Sequence, residues 1–101
     1  MQVERTEGGD RTLVRITGSV GIQDIAELHR ELIPALRSGA VCIDTSGVTA
    51  ADFSLVQLLA AARRDAVRRG VPLDLEQHLG TAVREAAARS GLAHRIDGKA
   101  G

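Results

Sequence analysis

The sequence has no tryptophan, no tyrosine and a single phenylalanine, Phe53. A surface that stacks nucleobases needs several aromatic rings, so this chain cannot bind single strands that way. Neither sign of charge is in excess: 13 basic and 13 acidic side chains give a formal net charge of zero. The basic footprint of a nucleic-acid partner is therefore missing. Lys99 is the only lysine, and no glycine-rich phosphate-binding motif occurs. The three histidines, His29, His78 and His94, are scattered without metal-ligand spacing, so neither a metal nor a cofactor is expected. Cys42 is the lone cysteine and cannot close an internal disulfide. Its place in the run AVCI reads as core packing. No apolar run approaches the ~18 residues of a membrane span, so direct membrane insertion is not expected. The opening MQVERTEGGD is polar and acidic, unlike a secretory leader, and the expected location is cytoplasmic.

What is present is a balanced, 101-residue chain, read as one domain over residues 1–101. Residues 2–6 are weakly strand-like, and GlyGly at 8–9 with Asp10 reads as a hairpin turn into a strand over 11–18. Ile22, Ile25, Leu28, Leu32 and Leu36 recur at helical spacing, and Gly39 ends that helix. Pro34 inside it predicts a kink or an irregular last turn. AVCID, residues 40–44, is a continuous apolar run of the kind found in a central strand. TSGVTAADF then reads as a polar loop. A second helix follows over 54–70, with Leu55, Leu58, Leu59, Ala62, Ala66 and Val67 on its apolar face. Residues 71–75 predict a strand, 80–90 a third helix, 92–96 a last short strand, and DGKAG a loose tail. The order β-β-α-β-α-β-α-β implies an α/β fold: a small mixed sheet of four to five strands covered by helices.

Catalytic chemistry is hard to assemble from these residues. Asp44 and Asp52 could form an acid–base pair, but no pocket-forming insertion accompanies them, so no enzyme is expected. The informative stretch is CIDTSGVTAADFSLVQLL, where a buried strand leads into an amphipathic helix. Carboxyl ends of parallel strands are where open α/β sheets present functional loops. Asp52 is a natural helix N-cap and Ser54 lies in the first turn. A plain helix cap accounts for this pattern. So does a phosphate acceptor, because the positive end of the helix dipole tolerates added anionic charge. Arg63, Arg64, Arg68 and Arg69, offset by Asp65 alone, form a basic cluster on the same helix. It reads as a solvated face or as a docking face for something acidic.

The segments VCIDTSGVTAADFS, LVQLLAAARRDAVRRGVPLDL and REAAARSGLAHRI, in that order and spacing, resemble a STAS domain over about residues 3–97. This is the module of sulfate transporters and bacterial anti-sigma factor antagonists. The resemblance implies a non-enzymatic, protein-binding regulator with a small mixed sheet edged by helices. The antagonist branch carries an Asp-Ser-Ser-Gly motif whose second serine is phosphorylated by an anti-sigma kinase of the ATPase fold and restored by a phosphatase. The match falls on Asp52, Phe53, Ser54 and Leu55, so Asp52 takes the acid's place and Ser54 the acceptor's. The resemblance thus implies phosphorylation at Ser54 and a partner surface of Asp52, Phe53, Ser54, Leu55, Thr49, Arg63 and Arg64. A second branch consists of small STAS subunits of lipid-transport ABC systems, bound to the ATPase subunit. Its resemblance implies a constitutive adaptor, as does that of STAS proteins beside sensory kinases.

Overall fold

The computed structural model describes residues 1–75 and 77–96, the His94 side chain excepted. The DGKAG tail lies outside them. Two antiparallel strands, β1 (Gln2–Gly8) and β2 (Arg11–Val20), open the chain. Their register pairs Gln2 with Thr17 and Gly8 with Arg11, and Gly9, at φ 62°, makes the left-handed turn between them. A single 3-10 turn, Ile22–Asp24, leads into α1 (Ile25–Ser38). Then come β3 (Ala40–Ala51), α2 (Phe53–Arg69), a two-residue β4 (Leu73–Asp74), α3 (Thr81–Ser90) and the one-turn α4 (Ala93–Ile96). The four strands lie in the order β1-β2-β3-β4, with β2, β3 and β4 parallel.

This order fixes where the core sits. The crossovers β2-α1-β3 and β3-α2-β4 both step in the same direction across the sheet. Right-handed connections then place both helices on the same face. Val14 and Ile16 of β2 and Val41, Ile43 and Thr45 of β3 point to that face and are buried. Leu28, Leu32 and Leu36 of α1, Leu55 and Leu59 of α2, and Val83 of α3 close over them. On the opposite face Leu13 and Thr17 stay half-buried and Arg15 is exposed. Cys42 is buried there, between Leu13 and Asp74 in the register, as its place in an apolar run predicts. Burial raises its thiol pKa, and the nearby Asp74 carboxylate adds to that.

Several sequence expectations are corrected. The last element, residues 92–96, is not a strand: Ala93–Ile96 form α4, and the sheet has four strands among the described residues. Leu92 and Ile96 are four apart, which suits a helical turn that buries Ile96. TSGVTAA is not a loop but the second half of β3, held by pairing Gly47, Val48, Ala50 and Ala51 with Thr17, Gly18, Ser19 and Val20. Two register shifts, between Arg15 and Thr17 and between Gly18 and Ser19, accommodate it. The predicted strand at 71–75 shrinks to Leu73–Asp74. Its pairing resumes further on, where the Thr45 N–H donates to the His78 carbonyl at 2.9 Å. Val67 lies off the buried face of α2 and is 75% exposed. Helix α1 runs through Pro34 to Ser38, whose hydroxyl donates to the Ala35 carbonyl. Ile22 is not on its apolar face: it sits in the 3-10 turn, 74% exposed.

Candidate functional site

The site is built where β2 and β3 end side by side. Val20 pairs with Ala51, so the chain leaving each strand emerges at the same edge. From β2 it enters the 3-10 turn at Gly21, whose N–H donates to Asp24 Oδ2 at 3.0 Å. From β3 it enters α2 through Asp52, an extended N-cap residue whose Oδ1 accepts from the Ser54 N–H at 3.1 Å. The Ser54 hydroxyl donates to the same carboxylate oxygen. The two starts are adjacent through the Val20–Ala51 pairing.

The electrostatics follow from these donors. The Ser54 hydroxyl is the largest influence on Asp52 and holds its carboxyl below the usual carboxylate range, aided by the N–H groups of Ser54, Leu55 and Ile22. Asp52 is therefore a structural anion that caps the start of α2. Ser54 is half-buried, its hydroxyl committed to Asp52. Around this polar centre stand two exposed hydrophobic side chains, Phe53 at 48% and Ile22 at 74% exposure. With Val67 they are the exposed large hydrophobics among the described residues. An apolar rim around a charged, hydrogen-bonded centre is the composition of a protein-docking patch.

The other expected site residues fall elsewhere. Leu55, in the first turn of α2, is fully buried and offers no surface to a partner. Thr49 is exposed on β3, before the strand ends. Arg63 is half-buried and Arg64 exposed, some ten residues along α2 from Ser54, or about 15 Å at the helical rise. They are not gathered with Asp52. The carboxylate pair does not form a catalytic site either. Burial alone would raise the pKa of Asp44, but hydrogen bonds from the Ser46 hydroxyl at 2.6 Å and its N–H at 2.9 Å, with Arg15 at 3.4 Å, bring it below the usual range. Asp44 thereby serves to hold β3 to β2. Among the described residues no cluster of histidine, cysteine or carboxylate groups could hold a metal ion. Ile22 is the exposed residue of this patch that the sequence placed on a buried helix face instead. Asp24 directly before the periodic run was the available signal, since an acidic N-cap there puts Ile22 outside the helix.

With this geometry in place, the family can be assigned. The sequence profile described as "Mlab, STAS domain" matches residues 3–97, and the chain belongs to that family. Family membership makes it a non-catalytic regulatory module. A solved structure of the anti-sigma factor antagonist SpoIIAA in its unphosphorylated form shares the fold at a TM-score of 0.72 and 14% identity. The match covers 91% of this chain and 83% of that one. A crystal structure of Mglu matches at a TM-score of 0.64 and 19% identity, over 72% of this chain. The chain spans 19% of the length of Mglu, so that likeness is to one part of a larger protein. A search among curated proteins finds no match.

Proposed function

We propose that the protein is a partner-switching regulator whose docking patch is the start of α2, gated by phosphorylation of Ser54. The observation that carries this reading is the Asp52–Ser54 cap at an exposed helix N-terminus, flanked by Phe53 and Ile22. A phosphate on Ser54 brings about −1.5 to −2 charges to the positive end of the α2 dipole, which the helix tolerates. The same group displaces the Ser54 hydroxyl from Asp52 and repels that carboxylate. The patch then changes from a neutral-rimmed apolar surface to an anionic one, and a partner fitted to the first form is released. The partner is an anti-sigma factor and serine kinase of the ATPase fold, with a phosphatase to reset the switch. The likeness to unphosphorylated SpoIIAA supports this choice through the fold it shares.

The match to the Mlab profile favours a second reading. In it the same patch binds the ATPase subunit of a lipid-transport ABC system permanently, and Ser54 is never modified. The buried Leu55, where the antagonist branch carries glycine, suits a patch of fixed shape.

Incubation with a co-encoded ATPase-fold kinase and ATP, followed by intact-mass measurement and site mapping, separates the two. The switch predicts one added phosphate on Ser54 and none on the Ser54→Ala variant. An unmodified protein whose partner binds wild type, Ser54→Ala and Ser54→Asp equally would instead establish the constitutive adaptor.

A further inference from the structure

Beside the docking patch lies a shallow groove between the start of α2 and the end of α3, about 340 Å3 in volume. Phe53, Ala86, Arg89 and Ser90 line it. Phe53 and Ala86 make it apolar along one side. The Ser90 hydroxyl is spent internally, donating to the carbonyls of Ala86 at 3.0 Å and Ala87 at 3.1 Å. Arg89 is the group left over. It is exposed, and the ion pairs among the described residues are Arg15–Asp44 and Arg69–Asp65. Glu85 sits four residues before Arg89 on the same helix, the spacing that favours a pair, and no ion pair joins them. Among the described residues no carboxylate pairs with this guanidinium, which lines the groove with the half-exposed Phe53 ring.

The neutral composition of the whole chain hides a local asymmetry that extends this argument. Helices α2 and α3 carry Arg63, Arg64, Arg68, Arg69, Arg84 and Arg89 against Asp65 and Glu85. Asp65 is already held by Arg69 at 2.8 Å. Of these arginines, Arg89 is the basic group that lines the groove, and a partner approaching Phe53 meets it along with the Asp52 carboxylate at the helix start. We infer that the groove takes an acidic, apolar segment of a partner protein, with an aliphatic side chain packed on Phe53 and Ala86 and a carboxylate paired with Arg89. Helix-lined grooves accept amphipathic segments in this way, and the planar guanidinium suits a carboxylate better than a point charge would. The inference rests on the docking reading above and supplies the chemistry of what docks.

The test is a titration of the full, isotopically labelled chain, followed by amide chemical shifts at low salt. The probes are two helical alanine-based peptides of roughly 15 residues. One presents leucine and glutamate on a common face, the other leucine and lysine. The glutamate peptide should shift the amides of Phe53, Ala86, Arg89 and Ser90 saturably and bind about fivefold tighter than the lysine peptide. Added salt should narrow that gap. Arg89→Glu should reverse the preference, and Phe53→Ala should weaken both peptides. Absent shifts in the groove, equal binding of both peptides, or an Arg89→Glu variant that still prefers glutamate would each overturn the inference. No kinase or phosphate enters this titration. A chain that no kinase modifies can still bind the glutamate peptide, which would remove the switch and keep the groove. Phosphorylation of Ser54 without groove shifts would do the opposite.

Discussion

Asp52 and Asp44 perform the same physical task at two places, accepting hydrogen bonds from backbone N–H groups at a helix start and at the register shift within β3. In each case the folded carboxyl is more acidic than in the unfolded chain. A depressed folded pKa contributes stability that is present above the unfolded value, about 3.9, and lost as pH falls through the folded one. The urea midpoint should therefore drop as pH falls below about 4, and Asp44→Asn should flatten part of that drop. An unchanged slope in the variant would show that Asp44 does not contribute. Asp52→Ala removes an N-cap and should cost about 1 kcal/mol, whereas Ser54→Ala should stay within about 1 kcal/mol because the Ser54 N–H keeps its acceptor. Chemical denaturation of both variants checks the order. The Asp52–Ser54 pairing was legible from residue type and position. Burial of Leu55 was legible too from its place on the apolar face of α2, and conflicts only with the partner role that the resemblance implied. Ile22 was misplaced because its spacing continued the helical period even though Asp24 ends the preceding turn.

At the scale of elements, α3 is fastened to β3 by backbone as well as by side chains. The Gly80 N–H donates to the Thr45 hydroxyl at 3.0 Å, and a Cβ at Gly80 would lie 2.2 Å from the Thr45 carbonyl oxygen. Gly80 has an ordinary extended backbone, so the demand for glycine comes from this close approach alone. Gly80→Ala should destabilise by about 1–3 kcal/mol through the displacement it forces. The groove beside Phe53 should loosen with it, which thermal melting and the amide shifts of Ala86 and Arg89 would report. Leu59, fully buried, should cost about 2–5 kcal/mol when truncated to alanine, and the half-buried Leu58 less. The helices were legible because α1 and α2 are long and periodic, with glycine at their ends. Much of β3 was not, since Ser46, Gly47 and Thr49 are loop-like residues whose strand conformation is imposed by β2 across the sheet. The 92–96 segment was too short for its period to distinguish a strand from a turn of helix.

For the whole molecule, the equal count of acids and bases says nothing of where the charges lie: the α2 arginines were legible as a run, whereas the place of Arg89 beside Phe53 depends on which faces the fold brings together. The fold itself followed from the alternation of strands and helices and from the resemblance to a STAS domain, now matched over residues 3–97. The sheet's helix-free face, with exposed Arg15 and half-buried Leu13, and the charged edge strand β1 offer competing surfaces for a partner. The central claim is that docking occurs instead at the start of α2. Hydrogen exchange of the protein, free and mixed with a co-encoded ATPase-fold protein, tests this most directly. Protection concentrated at Ile22–Asp24, Phe53–Leu55 and the end of α3, and lost when Ser54 is phosphorylated, is the predicted result. Protection confined to β1 and the open face of the sheet, with the start of α2 exchanging as in the free protein, would contradict it.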